Sequence, residues 1–317
     1  MNRFSDIIGQ TRVIKFLQEV LQSGEPSHAY LFTGPSGVGK TRAAVYFARE
    51  LLMGEEARGR VMLAKGYHPD LFIAQRERSR VSIEEIRRLE QWLAYQPYLS
   101  SRRVAIIPQA HLLSLDAANA LLKTLEEPPS YAVIILVSDE REILPTIASR
   151  CQEIRFSSLP VGQLEKALVE EGESSERAYT AALLGRGSIG RARVLAAHPD
   201  IDGIWEQVRS FLVGVKERGE LQLLEKAEEL EKTEEGRWLF FGALEILLRD
   251  ILVYLKSGDE ELLMVRENAG LAERFRGQDA ELSRVLLDFT LLQKKFRTNV
   301  NPLLININLL FKLRQVV

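Results

Sequence analysis

The chain has 317 residues, 46% hydrophobic and 27% charged, which is enough to bury a core in two or three domains. Its 42 basic and 44 acidic residues give a formal net charge of -2, which excludes a general attraction to nucleic acid and leaves only local contacts. The single cysteine, Cys151, excludes an internal disulfide and favours a reducing compartment. Because there is no apolar N-terminal signal and no apolar run near the roughly 18 residues of a membrane span, we predict a soluble cytoplasmic protein.

From residue 1 to 157, short β-rich runs alternate with helical patterns. Two of these runs are continuously apolar, which is typical of strands buried on both faces of a parallel sheet. Between the runs, Ser114 is placed to cap a helix that Pro128 and Pro129 end. This alternation predicts an α/β fold with a parallel sheet flanked by helices. The predicted strands are Ala29–Thr33, Leu71–Gln75, Val104–Ile107, Ala132–Ser138 and Glu153–Phe156.

Beyond Phe156 the pattern becomes helical throughout. Residues 158–200 predict a small helical unit, and residues 201–317 predict an all-α domain. In the latter, one apolar helix face is predicted to run through Trp238, Phe241, Leu244, Leu248, Ile251 and Leu255.

A phosphate-binding loop is predicted directly after the first strand. The segment from Gly34 to Thr41 reads G-P-S-G-V-G-K-T, which matches the P-loop pattern in full. Gly34, Gly37 and Gly39 let backbone N–H groups curl around phosphates at a helix N-terminus. Lys40 would reach the outer phosphates and Thr41 would offer its hydroxyl to Mg²⁺. The alternative is a chance glycine-rich turn.

The acidic pair that a hydrolysing P-loop enzyme needs is missing from its expected place. Such a pair should follow the strand Val104–Ile107, where the sequence instead has Pro108 and Gln109. Asp116 lies too far along the next helix to hold the cation. His111 is a conceivable base, although a packed or solvated histidine is the simpler interpretation. We therefore predict that this chain alone does not hydrolyse ATP.

Two further motifs carry a resemblance to a known family. Residues 117–129 read A-A-N-A-L-L-K-T-L-E-E-P-P, and residues 146–151 read T-I-A-S-R-C. Both resemble signatures of the bacterial DNA polymerase III clamp-loader subunits, an AAA+ family. The resemblance extends to the segments I-I-G-Q at 7–10, H-A-Y-L-F at 28–32, H-P-D at 68–70 and N-V-N-P at 299–302.

The resemblance implies an architecture and a set of partners. It implies an AAA+ P-loop domain over residues 1–157, a helical lid over 158–200, and a collar domain over 201–317 that assembles subunits into a ring. The implied partners are the gamma/tau and delta subunits, and the sliding clamp and primer-template DNA through the complex. No membrane partner is expected.

Three departures from the family's ATPase pattern make the chain resemble the delta prime type. Pro108 and Gln109 replace the acidic pair of the gamma/tau subunits. The zinc-binding cysteine cluster of those subunits would fall between Met53 and Tyr67, which holds no cysteine, so we predict no zinc. The second-sensor arginine of active members would fall at Gly190. ATP or ADP with Mg²⁺ is therefore expected to bind weakly at most.

Arg150 of the S-R-C motif is the predicted catalytic residue, acting in trans. In the family this arginine is presented to ATP on a neighbouring subunit, where a planar cation stabilises phosphate charge. The alternative is a structural arginine paired with a local carboxylate. Ser138 falls where the family's first phosphate sensor lies, although a capping role explains it equally well.

Two other functions stay open at this point. The chain could be a gamma/tau-like clamp-loader ATPase, against which Pro108 and Gln109 argue. It could also be an AAA+ adaptor outside replication that shares only the fold.

Overall fold

The computed structural model describes residues 3–53, 67–76, 80–139, 143–296 and 300–316. Contacts divide the chain into two compact units. The first consists of Met1–Ala167 and Arg186–Arg191, and the second of Leu168–Gly185 and Ala192–Val317. The three-part division into residues 1–157, 158–200 and 201–317 stays a prediction.

A five-stranded parallel sheet forms the centre of the first unit. Its order is β2-β3-β4-β1-β5, so β1 lies between β4 and β5. Leu31 of β1 is in register with Leu136 on one side and Glu153 on the other. The strands are β1 (Ala29–Thr33), β2 (Leu71–Ile73), β3 (Arg103–Ile107), β4 (Ala132–Val137) and β5 (Gln152–Arg155).

The apolar runs of β3 and β4 are buried on both faces, as their composition predicted. Val104 and Ile106 belong to one core cluster, whereas Ala105 and Ile107 belong to another on the opposite face. The predicted α/β class, with a parallel sheet flanked by helices, is confirmed. The helices of this part are α1 (Thr11–Ser23), α2 (Lys40–Leu52), α3 (Ile83–Leu93), α4 (Leu115–Glu126) and α5 (Pro145–Ala148).

Helix α4 begins and ends where its sequence predicts. The Ser114 hydroxyl accepts a hydrogen bond from the backbone N–H of Ala117, which satisfies one of the free donors of the first turn. The helix stops at Glu126, shortly before the Pro128-Pro129 pair that cannot continue it. This ending places Glu126 at the C-terminus of α4.

The other α-helices in the described residues follow β5, and most of them lie in the second unit. They are α6 (Val161–Glu170), α7 (Ser175–Leu184), α8 (Ile189–Ala196), α9 (Ile204–Gly214), α10 (Glu220–Glu231), α11 (Glu234–Ser257), α12 (Ala269–Ala272), α13 (Asp279–Lys295) and α14 (Pro302–Val316). Of the residues described after Arg155, none lies in a strand, so the predicted helical C-terminal part is confirmed. No helix in the described ranges is both long and apolar enough to cross a membrane.

Helix α11 differs from the single apolar face that its sequence predicted. Phe241, Leu244 and Leu248 are buried as expected, but Leu239 and Ile246 on other sides are buried too. The reason is that α11 contacts α7, α9, α10, α12 and α13, so neighbours cover it nearly all round. A helix covered in this way loses the one-sided pattern of a surface helix.

Candidate functional site

The P-loop leaves the middle of the sheet at the carboxyl end of β1. The backbone of Gly34, Gly37 and Gly39 has positive φ angles of 140°, 74° and 101°, which residues with a Cβ adopt at a cost. At Gly34 a Cβ would also lie 2.3 Å from the carbonyl oxygen of Phe156. The glycine pattern therefore serves this particular loop geometry, and α2 begins at Lys40 immediately after it.

Lys40 is buried, and its ammonium group is fully engaged within the chain. Its Nζ donates to the carbonyl oxygen of Gly34 (2.8 Å), to that of Pro35, and to Oδ1 of Asp139 (2.8 Å). Burial lowers the pKa of Lys40, and the bond to Asp139 acts in the opposite direction. An ammonium group has three donors, so every one of them has an acceptor here.

A short segment before and within α8 lies directly on the P-loop, inside the first unit. The backbone N–H of Gly190 donates to the carbonyl oxygen of Gly37 at 2.9 Å. A Cβ at Gly37 would lie 2.1 Å from Oγ of Ser188. The sequence placed Gly190 at the second-sensor position but did not predict this backbone contact. No local sequence pattern shows that two glycines far apart in the chain will lie close together in the fold.

The other predicted cradle residues lie near the same strand ends. Thr41 is exposed in the first turn of α2. Ser138 is fully buried just beyond β4, and its backbone N–H donates to the carbonyl oxygen of Phe32 at 2.8 Å. Its Oγ lies 3.4 Å from Nδ1 of His111, which also accepts from the backbone N–H of Asp139 at 3.2 Å. His111 thus holds the segment that follows β4.

Beyond β3, the position expected for an acidic pair carries no carboxylate. Gln109 has a left-handed backbone with φ 51°, and its Oε1 accepts from Nη1 of Arg76 at 3.1 Å. Asp116 lies in the first turn of α4 and is exposed. Neither Pro108 nor Gln109 can hold a cation as a carboxylate does.

The described P-loop does not fit a bound nucleotide as it stands. A phosphate at Lys40 would have to replace acceptors that already use all three of its donors. The carboxylate of Asp139 would also face the phosphate with a charge of the same sign.

Arg150 lies just after α5 and is paired with the end of α4. Its Nη2 donates to Oε1 of Glu126 at 2.5 Å, and its Nη1 donates to the carbonyl oxygen of Thr146 at 2.9 Å. The side chains of Arg150 and Glu126 are 35% and 49% exposed, so the pair lies at the surface of the first unit. Sequence reasoning anticipated a local carboxylate as the alternative partner but did not identify Glu126 as that partner.

Cys151, which follows Arg150, does not add a reactive thiolate to this surface. Burial raises the pKa of the Cys151 thiol to about 12, so the thiol stays protonated at neutral pH.

Two of the sequence predictions fall on residues outside the described ranges. The cysteine-free interval between Met53 and Tyr67 is one of them, since residues 54–66 are not described. The other is Asn299 of the segment that resembles the end of the collar domain. The absence of zinc stays a prediction.

The strand order, the parallel ladders and the P-loop after β1 define a P-loop protein of the AAA+ class. Residues 9–160 match the family model described as "DNA polymerase III, delta subunit". Over these residues, just under half of its length, the chain is similar to the DNA polymerase III clamp-loader subunit family.

Curated relatives include both tau and delta′ subunits of DNA polymerase III. The chain is 38% identical over 188 residues to the DNA polymerase III subunit tau of Bacillus subtilis, covering 54% of this chain and 33% of the relative. It is 33% identical over 177 residues to subunit delta′ of the same organism, covering 53% of this chain and 54% of the relative. The chain thus spans between a third and about half of the length of these two relatives.

Among solved structures, the chain aligns with a DNA polymerase III gamma subunit-related protein from Thermotoga maritima. It is 22% identical, with a TM-score of 0.44, and the alignment covers 95% of this chain and 99% of that one.

Proposed function

We propose that the chain is a delta prime-like subunit of the bacterial sliding-clamp loader in DNA replication. In this role it assembles with gamma/tau and delta subunits into a ring, supplies Arg150 to ATP on a neighbouring subunit, and does not hydrolyse ATP itself. The observation that carries the proposal is the carboxyl end of β3, where Pro108 and Gln109 stand in place of the acidic pair. Contacts with the sliding clamp and primer-template DNA, and a cytoplasmic location, belong to the same proposal.

The lack of intrinsic hydrolysis follows from the chemistry of phosphoryl transfer. The reaction needs Mg²⁺ to bridge the outer phosphates and a group that orients the attacking water. In P-loop NTPases an acidic residue after a later strand helps hold the ion, and here the Gln109 amide is bonded to Arg76 instead. A carboxamide oxygen is a weak substitute for a carboxylate as ligand or base.

The surface position of Arg150 supports a role in trans. Its present partner Glu126 is 49% exposed, and a pair this open to solvent contributes about 0–1 kcal/mol. Exchanging Glu126 for a neighbour's phosphates would thus cost little free energy. An arginine finger accelerates phosphoryl transfer by roughly 10³- to 10⁵-fold, which corresponds to a larger free energy than the lost ion pair. The Nη2 group that now donates to the Glu126 carboxylate would then donate to phosphate oxygens, for which the planar guanidinium is well suited.

The experiment for this proposal combines co-purification with ATP turnover. The purified chain is expected to hydrolyse no ATP above background and to co-purify with gamma/tau and delta subunits from its native cell. Failure to co-purify would favour the adaptor outside replication.

A gamma/tau-like ATPase is the second candidate, and the comparison with tau favours it. The identity to Bacillus subtilis tau, 38%, exceeds the 33% to delta′ of that organism. Steady ATP hydrolysis by the purified chain, abolished in Lys40→Ala, would establish this function and contradict the delta prime-like role.

Elemental analysis adds a separate criterion, because one zinc per chain is expected of the gamma/tau type and none of the delta prime type.

A further inference from the structure

The lysine of the P-loop already has an anionic partner inside the chain. Lys40 and Asp139 form an ion pair of 2.8 Å in which the lysine side chain is 2% exposed and the aspartate side chain is 27% exposed. Asp139 follows Ser138 immediately and was not singled out by the sequence motifs. Its carboxylate therefore occupies a site on the ammonium group that a phosphate oxygen would use.

Two backbone contacts fix Asp139 at this place. The N–H of Ser138 extends the pairing of β4 with β1 by bonding the Phe32 carbonyl oxygen. The N–H of Asp139 itself donates to Nδ1 of His111 at 3.2 Å. The carboxylate is thus presented to Lys40 by the sheet and by the segment after β3, and its position is not that of a freely moving surface side chain.

We propose that Asp139 is an internal counter-ion that competes with nucleotide phosphates for Lys40 and thereby sets how weakly the P-loop binds Mg-ATP and Mg-ADP. The inference deepens the proposed function, since it rests on weak nucleotide binding by a delta prime-like subunit. A phosphate must break a charge-assisted hydrogen bond that is shielded from water, and it must approach a carboxylate of like charge. The broken hydrogen bond and the like-charge repulsion both weaken nucleotide binding, and neither involves Arg150 or the residues around it.

A second contact on the P-loop limits how much nucleotide affinity can rise when the Asp139 carboxylate is removed. The hydrogen bond between Gly190 and Gly37 and the closeness of Ser188 to Gly37 remain when Asp139 is replaced. The gain in affinity should accordingly be partial. We expect about ten-fold, which is within the usual range for coupling between competing interactions.

The experiment measures binding of Mg-ADP and Mg-ATP to the purified full-length chain by calorimetric titration. Asp139→Asn keeps the side-chain shape without the charge and should lower Kd about ten-fold relative to wild type. Asp116→Asn is the matched control, since it removes one negative charge from an exposed position in α4 and should leave Kd unchanged. Lys40→Ala combined with Asp139→Asn should lose the gain.

Unchanged Kd in a folded Asp139→Asn chain would overturn the proposal, as would an equal gain in Asp116→Asn or a gain that survives the loss of Lys40. Should Asp139→Asn fail to fold, Asp139→Ser takes its place with the same expected result. Assembly with gamma/tau and delta subunits, measured on the same samples, separates the two ideas. Tighter nucleotide binding without assembly would contradict the proposed function alone, and assembly with unchanged binding would contradict the counter-ion alone.

Discussion

Asp70 is a fully buried carboxylate that fixes the loop between α3 and β3. Its two oxygens accept from the backbone N–H groups of Tyr98, Leu99 and Ser100 at 2.7, 2.7 and 3.0 Å, and from the Ser100 hydroxyl at 3.0 Å. Burial acts to raise the pKa of Asp70, but these hydrogen bonds outweigh it and lower the pKa below the ordinary value of 3.8. The aspartate of the H-P-D segment thus has a structural role in this chain.

We predict that Asp70→Asn destabilises the chain by about 2–3 kcal/mol, because an amide cannot accept all of these bonds and adds donors that lack acceptors. Chemical denaturation measures the change, with the exposed Asp116→Asn as the control that should stay near wild type.

Stability should also depend on the protonation of Asp70. Its folded-state pKa is depressed, so its contribution is fully present above the unfolded value near 3.8 and is lost as pH falls through the folded value. Below pH 4 the difference in unfolding free energy between wild type and Asp70→Asn should narrow. A difference that stays constant down to pH 2 would contradict this account of Asp70.

At the scale of elements, local patterns predicted the strands and helices of the sheet region well. Continuous apolar runs identified β3 and β4, and Ser114 marked the start of α4, whereas phosphate binding by the glycine loop stays a prediction. These features depend on residues that are close in sequence, which is why the sequence alone reveals them.

The partners of the functional side chains could not be predicted in the same way. Lys40 meets Asp139 and Arg150 meets Glu126 only because the parallel strands and α4 bring distant segments together. Nothing in the neighbourhood of either basic residue specifies which of the chain's 44 acidic residues will be its partner. The sequence identified Lys40 and Arg150 as candidate site residues, whereas the fold determines which carboxylate each of them contacts.

The P-loop as an element should be dispensable for clamp loading. We predict that Lys40→Ala and Thr41→Ala leave loading of the sliding clamp by the reconstituted complex largely intact, because Lys40 is engaged within the chain and no acidic pair follows β3. Clamp-loading assays with folded variants check this. Loss of loading in either variant would show that nucleotide at this site matters.

At the scale of the whole molecule, the second unit exposes leucines on its last two long helices. Leu287 and Leu291 of α13 are 60% and 49% exposed, and Leu304 of α14 is 60% exposed. The two helices contact each other, and an association surface is the kind of site at which exposed apolar side chains come together. This location agrees with the proposal that the C-terminal helices assemble the ring.

We predict that Leu287→Glu and Leu304→Glu, singly or together, weaken assembly with gamma/tau and delta subunits at least about ten-fold, or about 1.4 kcal/mol. Unfolding free energy should change by no more than about 0.5 kcal/mol, since both side chains are exposed. Leu115→Glu in the first unit, where Leu115 is 66% exposed, is the matched control. Size-exclusion profiles of the mixed subunits measure the effect, and normal assembly of both variants would locate the interface elsewhere.

The most direct test of the whole account is Arg150→Ala in a complex reconstituted with gamma/tau and delta subunits. The variant should fold and assemble, because Arg150 contributes a surface ion pair with Glu126 and local hydrogen bonds such as that to the Thr146 carbonyl oxygen, all at exposed positions. ATP hydrolysis stimulated by DNA and clamp should fall by the share that this arginine controls, and clamp loading should fall steeply.

Arg150→Lys should not restore either activity, since an ammonium group lacks the planar fork. Arg155→Ala, which also removes an exposed arginine from an ion pair, should behave as wild type. Normal clamp loading by a folded and assembled Arg150→Ala complex would contradict the role in trans, and lost assembly with unchanged ATP hydrolysis per complex would assign Arg150 a structural role.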